Sequence, residues 1–136
     1  MVKHSEVKLR SSRRSHWLDI TAQIRKSVAS SGIKNGICLI SSLHTTAGLT
    51  INENADPDVQ KDFFNKINSV FPQDSTFAHR EGNSDSHIKA SLVGLSVQLP
   101  VVNCDVQLGI WQSIYFCEFD GPRDRAVTVT ILGECE

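Results

Sequence analysis

Val106-Gln107-Leu108-Gly109-Ile110-Trp111-Gln112-Ser113-Ile114-Tyr115-Phe116-Cys117-Glu118-Phe119 is the stretch whose reading decides the fold class. Its β-branched and aromatic residues predict one long strand from Val106 to about Phe119. A second strand is expected from Ala126 to Leu132. Upstream, Leu95, Val97 and Leu99 alternate with Ser96 and Gln98 ahead of a hairpin turn at Asn103-Cys104-Asp105. Nearer the N-terminus, Gly36 opens a buried strand that runs through Ile37-Cys38-Leu39-Ile40 to Leu43 and His44. Val7 and Leu9 mark an opening strand with one wet face. A helix is expected behind Asp19, with Ile20, Ile24 and Val28 on one face and Gly32 at its end. Another is expected behind Asp56, where Pro57 suits the first helical position. Its apolar stripe is Val59, Phe63, Ile67 and Val70, and Pro72 stops it. A short third helix begins at His87 behind Asp85 or Ser86. Hairpin-linked strands mixed with two or three helices predict an α+β fold with mostly antiparallel sheets, a single domain over 1–136.

Charge and composition exclude several functions. Fourteen Lys+Arg face 15 Asp+Glu in 136 residues, a net charge of -1, which leaves no electrostatic footprint for nucleic acid. Arg10, Arg13 and Arg14, set among serines, read as a solvated turn. No apolar run approaches the roughly 18 residues of a membrane span, and Met1-Val2-Lys3-His4-Ser5-Glu6 lacks the features of a signal peptide. Cys38, Cys104, Cys117 and Cys135 are scattered without a disulfide or zinc-knuckle spacing. The expectation is a reduced, soluble, cytoplasmic domain with no nucleic-acid or membrane partner.

Polar residues out of phase carry the chemical signal. On the Val106 strand, one face reads Val106, Leu108, Ile110, Gln112, Ile114, Phe116, Glu118. Gln112 and Glu118 interrupt it. Either Glu118 meets a partner, a metal or water in a pocket, or the strand frays at Cys117 and the carboxylate is exposed. His4 and His16 lie in a polar region, whereas His44, His79 and His87 each sit where an element meets a polar loop. Three imidazoles brought together can hold zinc and leave its fourth position open; separate structural histidines are the other reading. Gly121-Pro122-Arg123-Asp124-Arg125 reads either as a solvated hairpin tip or as a turn whose arginines meet phosphate. No Walker loop, dinucleotide fingerprint or nucleophile elbow is present.

Several stretches together resemble one family. They are His44-Thr45-Thr46-Ala47-Gly48-Leu49-Thr50-Ile51-Asn52-Glu53-Asn54-Ala55-Asp56-Pro57-Asp58, His87-Ile88-Lys89-Ala90-Ser91-Leu92-Val93-Gly94, Leu108-Gly109-Ile110-Trp111-Gln112-Ser113-Ile114-Tyr115 and Cys117-Glu118-Phe119-Asp120-Gly121-Pro122-Arg123. This pattern is similar to the small proteins named after bacterial YjbQ, often labelled secondary thiamine-phosphate synthases. Two departures stand out. The family usually shows Gly-Thr-Trp-Gln where Gly109-Ile110-Trp111-Gln112 stands here, and some relatives carry histidine at the position of Phe119. Both exchanges are expected to alter the surroundings of Glu118.

The resemblance implies an α+β domain packed as a homotrimer, with His44, His79 and His87 gathered in a metal or anion pocket; for a metal, a divalent ion is expected, zinc by the nature of the donors. It implies Thr46, Asn54, Lys89, Trp111 and Arg123 as substrate-binding candidates, and a small phosphorylated or heteroaromatic metabolite as substrate. Expulsion of pyrophosphate needs charge stabilisation, for which Lys89 and Arg123 are candidates. Glu118 and Gln112 are the catalytic candidates. At six residues apart on one strand they lie about 20 Å from one another, so a site shared between subunits is expected. Metal-assisted hydrolysis, with Glu118 or Glu53 accepting a proton, is a second enzyme reading. A non-catalytic trimer that binds a metal, phosphate or metabolite is the alternative class.

Overall fold

The computed structural model describes residues 1–135; Glu136, counted in the expected domain, lies outside them. Two antiparallel sheets organise the chain. The first has five strands in the order β1 (Val2–Arg10), β8 (Asp124–Glu134), β3 (Asn35–Ser42), β5 (Ser96–Val102) and β6 (Asp105–Val106). In the second, β7 (Gln112–Glu118) runs between β2 (His16–Asp19) and β4 (Ala47–Glu53). The helices are α1 (Thr21–Ser31), α2 (Pro57–Val70) and α3 (Ser84–Val93). This is the expected α+β architecture.

Side-chain alternation explains how the layers stack. Val127, Val129 and Ile131 of β8 and Cys38 and Ile40 of β3 face inward, meeting Leu49, Ile114 and Phe116 of the second sheet and Ile24 and Val28 of α1. The opposite face of the second sheet presents Trp17, Tyr115 and Cys117 to Phe64 of α2 and Ala90 of α3. Strand β7 therefore lies between two apolar layers, which is why Ser113 to Glu118 are all buried. Burying a Phe or Ile side chain contributes roughly 1.5–3 kcal/mol, so this double coverage makes β7 the centre of the fold.

Four local expectations change. The strand predicted from Val106 to Phe119 is two strands, because Gln112 N–H donates to Gly109 O at 3.0 Å and turns the chain. Strand β4 has no counterpart in the sequence reading, since its Gly48 and Thr50 blur the apolar alternation. In α2, Val70 is exposed and Phe64 is the buried residue, although Asp56 caps the helix through Asp58 N–H as expected. Helix α3 starts at Ser84, three residues before His87, so His87 lies in its first turn. The hairpin at Asn103-Cys104 is present, with both residues at positive φ.

Candidate functional site

The side chain of Glu118 points into the space between the sheets, on the same face as Ile114 and Phe116. It is fully buried, so the reading that the strand frays and exposes it is corrected. Its partner is Arg125 of β8, which shares the inward parity of Val127 and Val129. Arg125 Nε donates to Glu118 Oε1 at 2.7 Å, and Nη2 donates to Oε2 and to Thr46 Oγ1. Ser11 Oγ donates to Oε1 at 2.6 Å, and the amides of Phe119 and Asp120 donate to Oε2. Burial pushes the Glu118 carboxyl up, but the bonds from Arg125, Ser11 and Asp120 together hold it below its ordinary value. Every lone-pair direction is occupied, so Glu118 organises the site from beneath and does not touch a ligand. Gly121 crosses directly above; a Cβ there would lie 2.2 Å from Arg13 O and 2.6 Å from Ser11 Oγ, so only glycine fits.

Above this ion pair opens a cavity of about 310 Å³. Its walls are the loop after β3 (His44, Thr46), the turn into α3 (Asn83, His87) and the link between β7 and β8 (Asp120, Arg123), with Arg125 also lining it. The link crosses between sheets, which corrects the hairpin-tip reading of Gly121–Arg125. Asn83 Nδ2 donates to Asp120 Oδ2 at 2.8 Å, and Arg123 Nη2 donates to the same oxygen at 3.0 Å. A carboxylate only accepts, so the Asn83 amide is fixed with its oxygen towards His79 Nε2, 3.1 Å away. His79 therefore carries its proton on Nε2. The His79 and His87 rings meet edge-on, with centroids 5.2 Å apart.

The imidazoles do not form the expected zinc centre. Among the described residues, no three His, Cys, Asp or Glu side chains gather as a ligand group. His44 Nε2 accepts the Ala126 N–H at 2.8 Å, which commits that lone pair to the backbone. Burial first, and then the charge of Arg125, holds His44 below its ordinary pKa, against a smaller opposite pull from Glu118.

The other candidates divide between three places. Thr46 and Arg123 join His44 and His87 at the cavity. Asn54, Trp111 and Gln112 lie at the far end of the second sheet, where β4 and β7 pair Glu53 with Gln112, whereas Ala47 pairs with Glu118 at the cavity end. There Asn54 Nδ2 donates to the carbonyls of Ile110 and Gln112, and Gln112 Oε1 accepts from Gly109 N–H. Lys89 is buried elsewhere: its Nζ lies 2.7 Å from both Asp85 Oδ2 and Asn68 Oδ1. Arg14 completes that cluster by pairing with Asp85 at 3.2 Å, a correction to its reading as part of a solvated turn. Ser11 and Asn83 were missed, and Arg125 was read only as one of two turn arginines open to phosphate, not as the partner of Glu118. Arg125 had a signal, since period-two alternation places it on the buried face of the Val127 strand.

The family described as UPF0047 protein YjbQ-like matches residues 5–134. The chain belongs to this family. It is 46% identical to a UPF0047 protein of Methanocaldococcus jannaschii, covering 93% of this chain and 91% of that one. UPF0047 protein YugU of Bacillus subtilis is 44% identical over 93% of this chain and 97% of its own. A crystal structure of a YjbQ/UPF0047 protein from Clostridium acetobutylicum superposes with a TM-score of 0.91 at 49% identity, covering 94% and 99% of the two chains. A YbjQ-like protein of unknown function from Sulfolobus solfataricus gives 0.93 at 35% identity, covering 98% and 99%. No helix among the described residues is long and apolar enough to cross a membrane.

Against the YjbQ pattern, both departures lie away from the cavity. Ile110 is 82% exposed at the far end of the second sheet, and Phe119 packs in the apolar layer beneath the helices. The expectation that they reshape the surroundings of Glu118 is corrected accordingly.

The titrating groups predict an acid-sensitive fold. His16 and His44 both lie below their ordinary value of 6.5, His16 through burial and then Arg13, so the unfolded chain binds more protons below that pH. Stability is complete above about pH 6.5 and falls as pH drops through the histidine range. Glu118 is depressed from 4.5 and Asp85 from 3.8, which extends the loss below those values. For Asp85, burial works upward and the bonds from Arg14 and Lys89 outweigh it. Urea unfolding at pH 8, 6 and 5 checks this; a free energy constant across that range would contradict it.

Proposed function

We propose that this cavity is the site of an enzyme acting on a small phosphorylated metabolite, with a heteroaromatic moiety as the second recognised part. One observation carries the reading: His44, Thr46, Arg123 and Arg125 converge on a single open cavity. Arg125 is committed to the buried Glu118, whereas Arg123 is 53% exposed and binds Asp120 through Nε and Nη2, which leaves its Nη1 to meet a phosphate. Among the described residues the His87 ring makes no hydrogen bond to protein although it lines the cavity, which makes it the group that exchanges a proton with the ligand. A thiazole phosphate and a pyrimidine pyrophosphate, the substrates of thiamine-phosphate synthesis, belong to this class and head the compounds to screen.

Arg123→Ala is expected to weaken inorganic phosphate binding about tenfold, the effect of losing one charge-assisted contact. Titration calorimetry measures it, and unchanged affinity removes Arg123 from the site. Turnover in a screen of phosphorylated metabolites identifies an enzyme; thermal stabilisation without turnover identifies the non-catalytic binding module instead. A divalent metal, zinc for imidazole donors, is the alternative role for His87, favoured by one observation, the adjacent ring of His79. Metal analysis of the purified protein decides it.

A homotrimer is part of the same proposal. Ile110 and Trp111 are 82% and 61% exposed, yet Asn54 pins their backbone. A rigid exposed apolar tip suits burial against another copy. Light scattering is expected to give about threefold the chain mass of 15.0 kDa; a monomer mass would refute it.

A further inference from the structure

Neutral imidazole has one N–H and one lone pair, so fixing one nitrogen fixes the other. In His44 the lone pair is at Nε2, because a backbone N–H, which only donates, points at it from Ala126 over 2.8 Å. The ring is held edge-on against Phe116, with centroids 6.4 Å apart, and it lines the cavity beside Thr46, Arg123 and Arg125. What remains for a ligand is Nδ1–H. We infer that His44 is a hydrogen-bond donor to a phosphate oxygen of the bound metabolite, its tautomer set by the Ala126 amide, and that it is not a metal ligand.

Coordination through Nε2 would displace Ala126 N–H and leave a half-buried donor unpaired. Coordination through Nδ1 would require the ring to lose its only proton or to surrender the Ala126 bond. Donation to a phosphate oxygen requires neither change, and it strengthens as the ligand becomes more negative. Because Nε2 keeps its lone pair for the Ala126 N–H, the ring carries a single proton and the donor is uncharged. Uncharged donors add directional recognition without adding net charge to the cavity. This inference rests on the phosphate reading of the cavity.

The test uses the full-length protein labelled with ¹⁵N at histidine. Long-range proton–nitrogen correlations distinguish the two tautomers directly, and loss of one pattern in His44→Gln assigns it. The expected pattern is Nδ1–H at pH 7, with that proton moving downfield when inorganic phosphate is added. An asparagine amide nitrogen overlies Nδ1, whereas a glutamine amide overlies Nε2. His44→Asn should therefore keep phosphate affinity within about threefold, and His44→Gln should lose about tenfold. An Nε2–H pattern, or a shift of either His44 nitrogen to coordinated values on adding zinc alone, overturns the inference. Phosphate that binds without moving the His44 proton overturns it too and leaves the phosphate reading standing. Phosphate that does not bind at all overturns both.

Discussion

Replacing Arg125 by methionine is expected to lower the free energy of unfolding by about 3–5 kcal/mol, the cost of leaving a buried carboxylate without its cation. The side chains of Arg125 and Glu118 are 4% and 0% exposed, so solvent cannot take over the role of the guanidinium. Against a typical domain stability of about 5–15 kcal/mol, the loss threatens the fold at physiological temperature. Two further results identify the mechanism. The deficit should shrink at pH 5, because without Arg125 the Glu118 carboxyl rises above its unfolded value and gains a proton on folding. Adding Glu118→Leu to Arg125→Met should recover most of the lost stability, since no unpaired charge then remains. A single-variant loss below about 1 kcal/mol would show that the pair is not the anchor described.

Asp85→Asn is the second large effect, about 3 kcal/mol, and it acts from the other partner of a buried pair. Lys89 Nζ, in a side chain only 1% exposed, would keep only neutral amide oxygens as partners, and Arg14 would lose its bidentate carboxylate. Lys89→Met in the Asp85→Asn background should restore part of the loss. The two variants also separate stability from binding. Asp85 lies in the first turn of α3 with His87, so Asp85→Asn should weaken phosphate binding at temperatures where the protein is still folded. Urea titration with phosphate calorimetry on the same sample reads both quantities; a variant as stable as the parent would refute the cluster's role.

The fold was legible wherever burial is one-sided or bounded by strong punctuation. Asp56-Pro57 placed α2, and Gly36-Ile37-Cys38-Leu39-Ile40 placed β3, because cap chemistry and apolar runs are local signals. Strand β4 was hidden because Ala47, Gly48 and Leu49 are all buried regardless of parity, a consequence of close packing that one strand's pattern does not disclose. The Gln112 turn was hidden because a side chain accepting from Gly109 N–H is invisible in an apolar count. At the site, the out-of-phase Glu118 was a true signal whose partner lay one step away in the same logic: Arg125 interrupts its own strand in the same manner. Two opposite charges on the inward parity of consecutive strands in facing sheets are a pair waiting to be joined. The histidines were less legible. Loop-junction positions brought His44 and His87 to one cavity, but the backbone amide that decides what His44 can donate belongs to Ala126, 82 residues further along the chain.

Strand β7 is hydrogen-bonded on both edges and covered on both faces, and that position sets how the protein yields. Its amides can meet solvent only when both flanking strands part and both apolar layers open. The backbone protons of Ile114, Phe116 and Cys117 should therefore exchange with deuterium only through global unfolding, hours or days after the exposed amides of β1 and of the Gln73–Ser75 loop have turned over. The cavity's floor at Glu118 belongs to the same slow set, so a ligand would be received on a base that gives way only when the whole domain opens.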